Sequence, residues 1–135
     1  MTNTSTGKKT ILIIEDERAL LQVIEAKLLS AGFDVVTART VDQGLGYMED
    51  VASIDAVWLD HYLFGEKTGL DFVAKLKSED SKWREIPIFV VSNTASRDNL
   101  RSYIRLGVHK YSVKADHRLD EMAVEIKNFL DRTPE

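Results

Sequence analysis

Four short apolar runs in this 135-residue chain end in side chains that could do chemistry together. Ile11–Ile14 runs into Glu15, Asp16 and Glu17; Ala56–Leu59 into Asp60; Ile86–Val91 into Ser92; and Val108–Val113 into Lys114. If Glu15, Asp16 and Asp60 converge within about 5 Å, each like-charge pair costs roughly 3 kcal/mol at an effective dielectric near 20. That is large against a domain stability of about 5–15 kcal/mol, so a cation must sit among them. Hard carboxylate oxygens, with a Lys nearby and no His or Cys ligand set, suit Mg2+, which keeps several waters and takes one or two carboxylates plus phosphate oxygens. A metal beside an aspartate, a lysine and a hydroxyl supplies a nucleophile, charge neutralisation and oxyanion donors, the parts of a phosphoryl-transfer site. Singly, each residue has a plainer use: Asp16 could cap the following helix, Ser92 could cap the fourth helix and Lys114 could be a solvated strand end. It is the set that points to chemistry.

The elements that must hold these residues alternate in hydrophobic period along the chain. Ile11–Ile14 is short and β-branched, as expected for a parallel strand buried on both faces. Residues 18–31 carry Leu20, Val23, Ile24 and Leu28 at helical spacing, with Lys27 breaking the stripe and Gly32 as a stop. Phe33–Ala38 is a second strand, and Thr40 with Gln43 reads as a capping box that opens a helix to about Asp50. Gly44 and Gly46 weaken that helix by roughly 1 kcal/mol each. Ala56–Leu59 is a third strand, Gly69–Ser78 a helix, Ile86–Val91 a fourth strand, residues 96–106 a helix and Val108–Val113 a fifth strand. Leu119, Met122, Ala123, Ile126, Phe129 and Leu130 form the stripe of a last helix. Five βα units demand a parallel sheet with helices on both faces, a doubly wound α/β fold whose ligands bind beyond the carboxyl ends of the strands.

Composition narrows the functional classes. The chain is 44% apolar and 30% charged, enough for a single domain with one sheet and two covering layers. Its net charge of −4 provides no overall positive field to hold nucleic acid or an anionic membrane. The absence of Cys removes a disulfide framework, a thiolate zinc site and a cysteine nucleophile. The polar residues 1–9 lack the apolar core of a secretory signal, and no apolar run approaches the roughly 20 residues that span a bilayer. A cytoplasmic protein is expected.

The ordered set of Ile11-Leu-Ile-Ile-Glu-Asp-Glu17, Val57-Trp-Leu-Asp60 with Gly65 and Gly69 behind it, Pro87-Ile-Phe-Val-Val-Ser92 and Gly107-Val-His-Lys-Tyr-Ser-Val-Lys114 resembles the receiver domain of two-component response regulators, in particular the stand-alone, chemotaxis-regulator-like kind. The resemblance implies a tail over residues 1–9, a receiver domain over 10–132 and a short tail over 133–135. It implies a flavodoxin-like five-stranded sheet in the order 2-1-3-4-5 with five helices. It makes Asp60 the phosphoacceptor, served by a histidine kinase or phosphotransfer protein or by a small acyl phosphate. Asp16 would bind Mg2+ directly, Glu15 through a water, and Tyr62 through its backbone carbonyl. Lys114 and Ser92 would hold phosphoryl oxygens, and Ser92 with Tyr111 would form a switch that reshapes the surface of the fourth helix, fifth strand and fifth helix. Glu17, Asn93 and Thr94 would flank the site.

On this resemblance the chain is not a conventional enzyme. It is a switch that catalyses its own phosphorylation and dephosphorylation and docks to a downstream protein, with no direct contact to nucleic acid or membrane, as a monomer or weak homodimer. Tyr103, Val108 and Tyr111 lie near the face receivers use to dimerise. Four positions depart from the family pattern: Glu15 replaces an aspartate, Asn93 a small residue, Phe64 precedes Gly65 in place of a proline, and Ala115 replaces a cis proline. A cis bond before Ala costs about 2.5–4 kcal/mol, so a trans Lys114–Ala115 peptide is expected. The departures motivate an alternative, a degenerate receiver acting as a constitutive protein-interaction module. His61, His109 and His117 show no ligand spacing and read as bystanders.

Overall fold

The computed structural model describes residues 8–51, 53–61, 63, 66–92, 97–113 and 119–132. The expectations placed on Tyr62, Gly65, Asn93, Thr94, Lys114, the Lys114–Ala115 peptide and His117 lie outside the described residues. Strands β1 (Thr10–Ile14), β2 (Asp34–Ala38), β3 (Ala56–Leu59), β4 (Ile88–Ser92) and β5 (Lys110–Val113) alternate with helices α1 (Arg18–Ser30), α2 (Val41–Asp50), α3 (Gly69–Leu76), α4 (Arg97–Leu106) and α5 (Leu119–Arg132). The strands form one parallel sheet in the order β2-β1-β3-β4-β5.

Strand alternation sorts the sheet residues into two cores. Leu12, Ile14, Val57, Leu59, Ile88 and Val90 face α2, α3 and α4, where they meet Met48, Phe72, Leu76 and Tyr103. Ile11, Ile13, Trp58, Phe89 and Val91 face α1 and α5, where they meet Ile24, Leu28, Met122 and Ile126. Double coverage explains why the strands read as continuous apolar runs. Strand order reverses at β1, so the crevice of the fold opens at the carboxyl ends of β1 and β3.

Local signals account for most element ends. Thr40 Oγ1 accepts from Gln43 N–H at 3.0 Å, while Gln43 Oε1 reaches one residue further back than a capping box requires, to Arg39 N–H at 2.7 Å. The full box lies at α3, where Asp71 Oδ2 accepts from Thr68 N–H and Thr68 caps the helix in return. Gly44 is a packing requirement: a Cβ there would sit 2.5 Å from Ile14 Cδ1 and 3.3 Å from Phe72, so α2 lies close against the sheet. Gly107, at φ +99°, closes α4, and Val108 N–H bonds to Tyr103 O, which delays β5 to Lys110.

The α1 stripe keeps Ile24 and Leu28, both buried, and Leu20, packed against the same core, and it differs from its sequence reading at one position: Val23 is 45% exposed and Leu21 is buried. Leu21 and Val23 are both apolar, so the pattern alone does not separate them.

Candidate functional site

The β1–β3 register builds the site. Ile14 is paired with Leu59, so the residues that follow them, Glu15 and Asp60, leave the sheet side by side. Asp60 N–H donates to Ile14 O and Glu15 N–H to Ala38 O, both at 3.0 Å, which continues the ladder one step past the strands. Glu15 and Asp60 are buried, at 1% and 5% exposure, and Asp16 is half-buried. A carboxylate oxygen from each of Glu15, Asp16 and Asp60 lies within 4.8 Å of the other two. Three formal negative charges in that space repel by about 3.5 kcal/mol per pair at an effective dielectric near 20. Their hard oxygen donors and spacing fit a small divalent cation bound partly through water.

Backbone contacts orient the two buried carboxylates. Glu15 Oε2 accepts from Glu17 N–H at 3.2 Å, and Asp60 Oδ1 accepts from His61 N–H at 2.9 Å. The N-cap of α1 is Glu17, with no side-chain capping bond, so the capping use open to Asp16 is not the one it serves. The Glu17 side chain itself is exposed, and its contact with the cluster is through its backbone N–H. Arg39, at the end of β2, grips the Asp16 carbonyl with Nε at 3.1 Å and Nη2 at 2.7 Å. Sequence reasoning passed over Arg39, although the rule that points to Asp60 and Ser92, polar residues at strand ends, covers it equally.

Ser92 is fully buried at the end of β4, beside Val113 of β5. Tyr111 on β5 is half-buried against the α3–α4 core, its ring 5.6 Å from that of Tyr103. Tyr103 and Val108 are themselves buried in the core, because the α4 turn that carries Tyr103 faces the sheet. His61 is also more than a bystander. It is 5% exposed, its Nδ1 lies 2.7 Å from Tyr103 Oη, and burial lowers its pKa, which favours the neutral imidazole.

A doubly wound sheet with an acidic, cation-ready cluster at its strand-order reversal is the arrangement that the receiver resemblance implied. Residues 11–125 match the family of response regulator receiver domains, and the chain belongs to that family. It is 29% identical over 125 residues to the phosphate regulon transcriptional regulatory protein PhoB of Pseudomonas aeruginosa, covering 93% of this chain and 53% of PhoB. It is 28% identical over 106 residues to the chemotaxis protein CheY1 of Helicobacter pylori, covering 77% of this chain and 83% of CheY1. This chain thus spans about half of PhoB and most of CheY1. The phosphorylated cyanobacterial phytochrome response regulator RcpA superposes with a TM-score of 0.82 at 25% identity, covering 95% of this chain and 97% of that one. A CheY-like receiver domain from Methanospirillum hungatei shares the fold, with a TM-score of 0.81 at 24% identity over 92% of this chain and 94% of its own. Receiver domains are phosphoacceptor signalling switches, distinct from conventional enzymes. No described helix is long and apolar enough to cross a membrane.

Proposed function

We propose that this chain is a cytoplasmic phosphoacceptor switch in which Asp60 takes a phosphoryl group from a histidine kinase or phosphotransfer protein. The reading rests on the three carboxylates gathered within 4.8 Å at the paired ends of β1 and β3. Glu15, Asp16 and Asp60, with the Tyr62 carbonyl, would hold Mg2+, which would neutralise the cluster and the charge on an incoming phosphoryl group. His61 N–H holds one Asp60 oxygen and orients the carboxylate for in-line attack. That carboxylate forms the new O–P bond as the P–N bond of a phosphohistidine, or the P–O bond of a small acyl phosphate, breaks and the leaving group takes the electron pair. Lys114 and the Ser92 hydroxyl hold the phosphoryl oxygens, with Glu17, Asn93 and Thr94 at the rim. Ser92 and Tyr111 carry the change to the surface formed by α4, β5 and α5, where a downstream protein docks. The same site catalyses hydrolysis of the acyl phosphate.

The chain incubated with Mg2+ and acetyl phosphate is expected to gain one phosphoryl group by intact mass, and Asp60→Asn to gain none. No adduct from acetyl phosphate or from any histidine kinase would leave the degenerate, constitutively docking receiver as the better reading. An adduct that persists in Asp60→Asn would move the acceptor elsewhere.

A further inference from the structure

Asp60 and His61 are consecutive, and they serve opposite sides of the sheet end. Asp60 joins the acidic cluster, while the His61 imidazole turns under α4. There Nδ1 pairs with Tyr103 Oη at 2.7 Å, and the two rings meet edge-on at 5.6 Å and 83°. Tyr103 is fully buried in the middle of α4, and its ring in turn lies against Tyr111. The space for the pair exists because residue 69 is glycine: a Cβ there would come 2.4 Å from Tyr103 Oη and 2.9 Å from the Asp60 carbonyl oxygen. Gly69 N–H also holds His61 O at 3.0 Å, which ties the Asp60–His61 backbone to the first residue of α3.

We propose that His61 and Tyr103 are a positioning pair that couples the chemical state of Asp60 to helix α4, beside the route through Ser92 and Tyr111. The inference rests on the reading of Asp60 as the phosphoacceptor. His61 N–H donates to an Asp60 carboxylate oxygen. Phosphorylation turns that carboxylate into an acyl phosphate whose negative charge lies on the phosphoryl oxygens, so the oxygen that His61 N–H meets becomes an uncharged carbonyl, and a hydrogen bond to an uncharged acceptor is about half as strong as one to a charged acceptor. The 60–61 peptide therefore relaxes when Asp60 is phosphorylated. Close packing against Gly69 leaves the Asp60–His61 backbone little room to absorb the movement, so it reaches Tyr103 through a short, buried, directional bond. Tyr103 belongs to a ten-residue helix, which moves as a unit. The helix has two states, with Tyr103 Oη engaged or disengaged from His61.

The test is amide hydrogen exchange across α4 in the full chain, with and without Mg2+ and beryllofluoride, a mimic of the acyl phosphate, in wild type, Tyr103→Phe, His61→Leu and the double variant. In wild type, ligand is expected to change α4 exchange by about 2- to 30-fold, the range found for residues that carry coupling between sites. Tyr103→Phe keeps the ring and loses only the hydroxyl, so most of that ligand-dependent change should vanish while acetyl phosphate still adds its phosphoryl group. The double variant should lose no more than either single one. A merely structural tyrosine would shift α4 exchange equally in both states and leave the ligand-dependent difference intact, which would overturn the proposal. A second readout needs no variant: the His61 imidazole 15N resonances of wild type should shift with beryllofluoride, and unchanged resonances would also overturn it. An adduct without any α4 response in wild type sinks the coupling alone, whereas no adduct at all sinks the reading of Asp60 and the coupling with it.

Discussion

Asp60→Asn should make the metal-free protein more stable. Asp60 takes part in two of the three like-charge pairs among Glu15, Asp16 and Asp60, at separations up to 4.8 Å. At that distance one pair costs about 3.5 kcal/mol at an effective dielectric of 20 and about 0.9 kcal/mol in bulk water. The pair with Glu15, 1% exposed, lies toward the first limit, and the pair with half-buried Asp16 toward the second. Allowing the side chains to relax apart, the net gain is about 2–4 kcal/mol. Asparagine keeps an oxygen for His61 N–H, so the loop geometry survives the change. With a urea slope of about 2 kcal/mol per M, typical of this size, the unfolding midpoint in EDTA should rise by about 1–2 M. Mg2+ should narrow that difference. Wild type gains about 2.7 kcal/mol at a hundredfold excess over its dissociation constant, and the variant, with one fewer anionic ligand, gains less. An Asp60→Asn midpoint equal to or below that of wild type in EDTA, or equal stabilisation of both chains by Mg2+, would refute the clustering of these charges.

Other consequences are as direct. Arg39→Ala frees the Asp16 carbonyl from two donors, and since hydrogen bonds to charged groups are worth about 1.5–3 kcal/mol, the folded chain should lose stability of about that size, read as a lower urea midpoint. Gly46→Ala meets nothing within 4 Å and should stabilise α2 by about 0.5–1 kcal/mol. Gly44→Ala drives a Cβ into Ile14, so its overpacking cost of about 1–3 kcal/mol should cancel or exceed the same helix gain; thermal melts that rank the two variants otherwise would contradict the α2 packing. Burial lowers the folded-state pKa of His61, so below pH 6.5 the unfolded chain binds a proton that the folded chain resists. Stability should therefore fall as pH drops from 6.5 toward the folded value, by at most about 1.4 kcal/mol per pH unit from this group. His61→Leu should flatten that part of the urea-midpoint profile, since His109, also lowered by burial, is common to both chains.

Much of the site was readable before folding because a parallel strand buried on both faces is a continuous apolar run, so its end is marked by the first polar residue. Glu15, Asp60 and Ser92 were found in that way, and the structure brings the first two together as the β1–β3 register requires. Thr40 was legible as a cap because its bond to Gln43 spans three residues. The α1 stripe was legible at Leu20, Ile24 and Leu28, but the choice of Leu21 over Val23 was not, since the two offer equally apolar side chains and only packing in the core selects Leu21. His61 and Tyr103 stand 42 residues apart, and Arg39 stands 23 from the carbonyl it holds. Neither pairing has a period or motif to announce it.

Hydrophobic spacing and strand-end polarity, both properties of neighbours along the chain, were enough to determine a doubly wound parallel sheet with carboxylates at its rim. Which helix residues face the sheet, and which polar groups meet across it, were decided only when right-handed crossovers and close packing set the helices at fixed angles and depths. His61 illustrates the difference: its sequence neighbours mark it as an ordinary loop residue, and its role depends on a tyrosine brought to it by a helix packed close enough that only glycine fits at position 69.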